Sequence, residues 1–226
     1  MNQLPTKVFA LLSGGLDSTV ALARAVDEFG FQHVEAVSVN YGQRHVKELD
    51  SARAVCNYYD IPHHIMEITD MPSSMLTDSS RAIPNASYAD LPEGVSPTYV
   101  PFRNGQLLSK IAAKASMYEG NSVIFAGMHA EDAARDAYPD CNFQFLGAMA
   151  AAIYIGTYHK VRCNFPLVSM YKHEIVRMGY ALQAPLQHTW SCYAGGVLHC
   201  GTCPTCRARK KAFQKAGVFD PTTYAA

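Results

Sequence analysis

Residues 7–18 read Lys7-Val8-Phe9-Ala10-Leu11-Leu12-Ser13-Gly14-Gly15-Leu16-Asp17-Ser18, and Thr19-Val20-Ala21-Leu22-Ala23 follow without a break. An apolar run, a glycine pair flanked by hydroxyls and a helix-spaced apolar stretch predict a strand, a tight turn and a helix start. Gly14 and Gly15 permit positive φ and close ligand approach, and the free amides at a helix N-terminus favour an anion. Ser13 and Ser18 add hydroxyl donors, and Ser18 is placed to cap the following helix. Asp17 sharpens the expectation, because a carboxylate beside a phosphate is repelled unless a cation lies between them. A magnesium nucleotide is therefore the expected ligand of the loop Leu12, Ser13, Gly14, Gly15, Leu16, Asp17 and Ser18. No Gly-Lys-Ser or Gly-Lys-Thr follows, which separates this loop from the Walker type.

Downstream, strand-like and helix-like stretches alternate. Helices are expected over Thr19–Phe29, Val46–Tyr59, Gly105–Glu119, Phe143–Gly156 and Tyr171–Gly179. Strands are expected over His33–Asn40, His63–Ile68, Ser122–Ala126 and around Lys160-Val161-Arg162. This order predicts an α/β fold with an open, doubly wound parallel sheet and helices on both faces. Ligands of such sheets sit beyond the carboxyl ends of the strands, so Ser13, Asn40 and Gly127 should ring one crevice, with His129, Glu131 and Asp132 close behind. Residues 69–101, rich in proline, serine and aspartate, form a long insertion loop, and a loop of that length in a compact domain is usually functional.

The chain of 226 residues carries 19 basic and 19 acidic side chains, so no global field draws it to nucleic acid or to a membrane surface. The apolar run near the N-terminus belongs to the glycine loop rather than to a signal peptide, and Ala148–Ile155 is far shorter than the roughly 18 residues of a spanning helix. A cytoplasmic enzyme without a membrane or nucleic-acid partner is expected.

Four of the seven cysteines crowd into Cys192-x7-Cys200-x2-Cys203-x2-Cys206. Four thiolates in a short, glycine-containing span suit a closed tetrahedral zinc site better than disulfides, with an iron–sulfur cluster as the alternative. Residues 1–188 are thus read as the α/β domain and residues 189–226 as a small zinc-binding tail, in which Trp190–Arg209 shows no apolar periodicity. His199 is expected at the surface, and Cys56, Cys141 and Cys163 as small packing residues.

The loop resembles that of the N-type ATP pyrophosphatases, which implies a Rossmann-like fold of the adenine nucleotide alpha hydrolase (HUP) type and chemistry through adenylation. Four further stretches narrow the resemblance: Asn40-Tyr41-Gly42-Gln43-Arg44-His45, Val100-Pro101-Phe102-Arg103-Asn104, Tyr138-Pro139-Asp140-Cys141, and Thr189-Trp190-Ser191-Cys192-Tyr193 with the later cysteines. Their order over residues 7 to about 213 is similar to the 7-cyano-7-deazaguanine synthase family of queuosine biosynthesis. The resemblance implies that ATP adenylates a 7-carboxy-7-deazaguanine, that ammonia displaces AMP, and that a second activation yields the nitrile. It implies a homodimer, a catalytic trio of Asp17, Ser18 and Lys172, and an ATP site that includes Asn40 and Gly127. The deazaguanine would rest on Arg103, Asn104, Tyr138 and Asp140, an aromatic face and a carboxylate suiting its ring and its N1–H and 2-amino edge. Arg44 and His45 are further candidates. Asn142 stands where the family usually has arginine, which removes a cation. A relative that stops at the amide, or ligates the acid to another amine in DNA modification or another non-tRNA pathway, is the alternative product reading. A nucleotide-binding sensor is the non-enzymatic one.

Overall fold

The computed structural model describes residues 6–42, 47–78, 80, 94–134 and 137–225. Arg44, His45, the expected helix start at Val46 and residues 79 and 81–93 of the long loop lie outside them. The elements in chain order are β1 (Lys7–Leu11), α1 (Leu16–Phe29), β2 (Val34–Asn40), α2 (Lys47–Tyr59), β3 (His63–Glu67) and α3 (Arg103–Ser116). They continue with β4 (Ser122–Phe125), α4 (Ala130–Ala133), α5 (Phe143–Gly156), β5 (Val161–Asn164), α6 (Lys172–Ala181) and α7 (Pro204–Ala216).

The strands form one parallel sheet in the order β3-β2-β1-β4-β5, with Leu11 opposite Val37 and Ala10 opposite Phe125. Alternation along β1 explains the two layers. Val8 and Ala10, with Leu12 just beyond the strand, pack with Leu22 and Ala25 of α1 and Ala52, Val55 and Cys56 of α2. Phe9 faces the other way, onto Leu108 and Ile111 of α3 and Leu146 and Ile153 of α5. A strand apolar on both faces belongs at the centre of such a sheet. β1 and β4 are neighbours whose chains leave in opposite directions, so the switch point opens between the loop after β1 and Gly127 after β4.

The tail differs from its expectation. Pro204–Ala216 is a regular helix, with Cys203 as N-cap, Pro204 in its first turn and Gly217 in the left-handed region at its end. Its buried face is Cys206, Arg209, Ala212, Phe213 and Ala216. A cysteine and an arginine occupy two of these positions, which breaks the apolar pattern while the helical spacing stays intact. Ala212 and Phe213 share a core cluster with Leu16 and Val20 of α1 and Ile175 and Val176 of α6. Arg209, fully buried, holds the tail through Asp220 Oδ1 at 3.2 Å, Thr189 Oγ1 at 2.7 Å and the Leu186 carbonyl at 3.2 Å.

Candidate active site

At the switch point the loop is shaped by close backbone approaches. Gly14 has φ 86°, and a Cβ there would lie 2.1 Å from the carbonyl oxygen of Glu48, so only glycine lets the first turn of α2 press on the loop. A Cβ on Gly127 would lie 2.8 Å from the Asp17 carbonyl oxygen, so the end of β4 and the start of α1 touch directly. α1 begins at Leu16 with Gly15 as its N-cap, which puts Ser18 in the first turn rather than at the cap. The Ser18 hydroxyl instead donates to the Gly15 carbonyl at 3.1 Å, accepts from the Ser13 amide at 3.2 Å and meets the Ser13 hydroxyl at 3.0 Å. The two serines therefore brace the turn, and the first amides of α1 have no intrahelical acceptor.

A cavity of about 260 Å³ opens over this loop. Leu12, Ser13, Gly15, Leu16, Asp17, Ser18, Gly127 and Lys172 line it, as do Arg103, Asn104 and Tyr138. Gly14 is buried behind the wall. Val39 and Tyr41 reach the cavity, whereas the side chain between them, Asn40, accepts from the Gly42 amide and donates to Glu67. Asp140 also stands outside the lining: its Oδ2 accepts from the Asn104 amide at 2.8 Å and so caps the start of α3.

Asp17 Oδ2 and Lys172 Nζ are 2.9 Å apart, joining α1 to α6 across 155 positions of sequence. His129 Nε2 lies 3.7 Å from Asp17 and 3.3 Å from Asp132, and the ring is almost wholly buried. Burial pushes the Asp17 carboxyl up, but Lys172 and His129 outweigh it and hold the group below the usual carboxylate range. The same carboxylates overcome the burial that would lower Lys172 and His129, and both are raised. Asp17 Oδ1 and both ring nitrogens of His129 have no hydrogen-bond partner among the described residues. Buried orphans of this kind fit a site that is completed by a ligand.

A second set of lining residues gathers around Arg103. Phe102 precedes it with φ 54°, a strained value for a bulky residue, and its ring fills the space left by the missing Cβ of Gly105. The ring also packs edge-on against Phe145 at 5.5 Å. This kink starts α3 at Arg103, whose guanidinium is within 3.4 Å of the Tyr41 hydroxyl. Burial works against the Arg103 charge, but Tyr41, Cys141, Tyr193 and Asp140 hold its pKa above the ordinary value. The Tyr138 hydroxyl is fixed by Thr98 at 2.5 Å and Ser96 at 3.2 Å, both from the described end of the long loop. Asn142, in place of the expected cation, caps α5 by accepting from the Phe145 amide at 2.7 Å.

Glu48 is a cavity residue that no sequence pattern singles out, since an acid in the first turn of a helix ordinarily serves the helix dipole. Here it lines the wall, and burial, resisted by Arg103, lifts its carboxyl to about 7.

The tail closes the remaining side. Trp190, Ser191, Tyr193 and Thr205 line the cavity, and the Trp190 amide donates to the Gly14 carbonyl at 2.9 Å. Beneath them the four sulfurs of Cys192, Cys200, Cys203 and Cys206 lie within 4.8 Å of one another. A tetrahedron with zinc–sulfur bonds of about 2.3 Å has edges of about 3.8 Å, so the set fits a four-coordinate metal. Backbone amides already point at these sulfurs: Ala194 and Cys200 at Cys192 Sγ, and Thr202 and Cys203 at Cys200 Sγ. His199 is not at the surface. It stacks on Trp190 at 4.2 Å and accepts from the Ser191 amide, and burial with nearby Arg209 lowers its pKa to about 4.

A family profile described as queuosine biosynthesis protein QueC matches residues 7–217. The 7-cyano-7-deazaguanine synthase of Thermoplasma volcanium is 39% identical over 98% of this chain and 92% of its own. Those of Thermoplasma acidophilum and Caldicellulosiruptor bescii are 40% and 39% identical over 96% of this chain, and over 92% and 97% of their own. With the profile and these relatives each matching nearly its full length, the chain belongs to the QueC family of queuosine biosynthesis proteins.

Proposed function

We propose that the chain is an ATP-dependent carbon–nitrogen ligase that converts 7-carboxy-7-deazaguanine and ammonia to 7-cyano-7-deazaguanine. The observation that carries it is the Asp17–Lys172 pair, set over a glycine loop in the same cavity as Arg103 and three tyrosines. A carboxylate is a poor electrophile, so its oxygen is first joined to the α-phosphorus of ATP with loss of pyrophosphate. Ammonia then adds to the activated carbon, AMP leaves and one proton is released, giving the amide. The amide oxygen then attacks the α-phosphorus of a second ATP with loss of pyrophosphate, and departure of AMP and of both amide protons leaves the carbon–nitrogen triple bond.

The chain supplies position and charge for these steps. Ser13, the loop amides and Ser18 cradle the pyrophosphate, with Leu12, Leu16 and Gly127 forming the adjoining wall. Lys172 exchanges its contact with Asp17 for the departing pyrophosphate. The unpartnered Oδ1 of Asp17 is the oxygen suited to a magnesium ion, which when bound neutralises phosphate charge. Asn40 acts on the nucleotide through the loop that carries Tyr41. Arg103, Asn104 and Tyr138 form the deazaguanine side. Cys192, Cys200, Cys203 and Cys206 would hold a zinc ion, which would fix the Trp190 segment against Gly14, a structural role with no open coordination position.

A homodimer fits the exposed apolar residues Phe143 and Ile155 on α5, 73% and 68% accessible. A cytoplasmic location accords with small-molecule substrates. No helix among the described residues is long and apolar enough to cross a membrane. Incubation with ATP, Mg²⁺, ammonium and the carboxy-deazaguanine tests the proposal. AMP release with formation of the nitrile is expected, and unreacted acid without AMP would refute it.

A further inference from the structure

The deazaguanine ring presents two N–H donors side by side, N1–H and the 2-amino group, and a carboxylate accepts both at once. Asp140 is the acid that the sequence offers for this edge, but its Oδ2 is engaged by the Asn104 amide at 2.8 Å and it does not line the cavity. Three carboxylates do: Asp17, Asp132 and Glu48. Asp17 is bound to Lys172 at 2.9 Å, and Asp132 lies 3.3 Å from His129, so both belong to the charged cluster beside the phosphate loop. Glu48 stands apart from that cluster, with Arg103 and Tyr41 as its interacting neighbours.

We propose that Glu48, rather than Asp140, is the specificity-determining carboxylate that reads the N1–H and 2-amino edge of the substrate. The assignment rests on the deazaguanine reading of the site. Four features support it. The first turn of α2 is locked in place because the Glu48 carbonyl packs where a Gly14 Cβ would be, so the carboxylate hangs from a rigid support beside the loop. Tyr41, Tyr138 and Tyr193 give the cavity aromatic walls suited to a planar ring. Arg103, also in the wall, gives the O6 carbonyl of the same ring a donor. Burial raises the Glu48 carboxyl to about 7 against the pull of Arg103, and two N–H donors would stabilise its charged form.

The test compares 7-carboxy-7-deazaguanine with the same ring lacking the 2-amino group, using the full chain and its Glu48→Gln variant. Dissociation constants and kcat/KM for AMP release are read for both compounds. The wild type should favour the amino compound by on the order of 100-fold, since a buried acceptor left without its donor rejects the analogue. In Glu48→Gln the amide nitrogen faces a donor, and this preference should collapse to within about threefold, with the loss falling on the amino compound. The affinity for ATP alone should stay at the wild-type value, which reports an intact loop. Asp140→Asn should keep the wild-type preference. A Glu48→Gln chain that binds ATP normally and still discriminates as the wild type does would overturn the assignment, as would an Asp140→Asn chain that loses discrimination while folded. A wild-type chain that neither binds nor turns over the amino compound would instead refute the functional reading, and this assignment with it.

Discussion

Replacing Glu48 with glutamine should stabilise the folded protein, and by an amount that depends on pH. The carboxyl is raised from 4.5 to about 7 in the fold by burial, which Arg103 only partly offsets. An acid whose pKa rises on folding binds its proton more tightly in the native state. Its stability cost is absent below about pH 4, grows as pH climbs past the unfolded value, and is complete above the folded one. Moving the carboxyl from 4.5 to about 7, at 1.36 kcal/mol for each tenfold change in proton affinity, sets an upper bound of about 3 kcal/mol. The side chain is only partly buried, and screening brings the expected gain to about 1–2 kcal/mol. For a chain of this size that corresponds to a rise in Tm of roughly 3–8 °C. Thermal unfolding of both proteins at pH 4, 6 and 8, in matched buffers without nucleotide, measures it. The melting points should coincide at pH 4 and diverge towards pH 8, with the glutamine form higher. A glutamine form that is less stable at pH 8, or an equal offset at every pH, would refute the reasoning. A stabilising change at the cost of selectivity is the mark of a residue retained for binding.

Other outcomes follow from the same geometry. Asp17→Asn takes from the partly buried Lys172 its hydrogen-bonded carboxylate, so AMP release should fall by at least about 1000-fold and stability by about 1–3 kcal/mol, read by kinetics and by denaturant titration. Retention of full turnover would remove Asp17 from the adenylation step. Lys172→Met should lower AMP formation by a comparable factor with little change in the dissociation constant of the carboxy-deazaguanine. Removing the metal with a chelator, or Cys203→Ser, should release close to one zinc per chain and weaken ATP binding by more than about tenfold, because Trp190 holds Gly14 from the tail. Metal analysis and nucleotide titration report the two effects separately. Phe213→Ala should cost about 3–5 kcal/mol by emptying the α1–α6–α7 cluster, measured by urea unfolding.

How far the sequence carries the account depends on the kind of signal each residue leaves. β1, α1 and the switch-point cavity follow from a both-faces apolar strand running into a glycine pair, because that pattern has few other uses. α5 begins and ends where its periodicity places it. α7 escapes because Cys206 and Arg209 stand at its buried positions, and polar atoms in a helix face look like exposure until their partners are seen. His199 misleads for a related reason: a histidine beside a metal knuckle reads as surface, whereas Trp190 and Tyr224 enclose its ring. Tertiary contact alone puts Glu48 in the cavity wall and leaves Asp140 outside it. The 2.8 Å bond from the Asn104 amide joins residues 36 positions apart, and no local pattern announces it. Glu48 reaches the cavity because Gly14 admits the first turn of α2, a packing event written in the glycine rather than in the glutamate. Asn142 is likewise explained by the helix it caps.

The proposed chemistry uses one cavity to activate an acid with ATP and carry it to a nitrile. Mass spectrometry of a single reaction containing the purified chain, ATP, Mg²⁺, ammonium and 7-carboxy-7-deazaguanine tests it most directly. The account predicts a product with the mass of the acid plus one ammonia less two waters, and two AMP formed for each product. Unchanged acid with no AMP, or a nitrile formed without AMP, would contradict it.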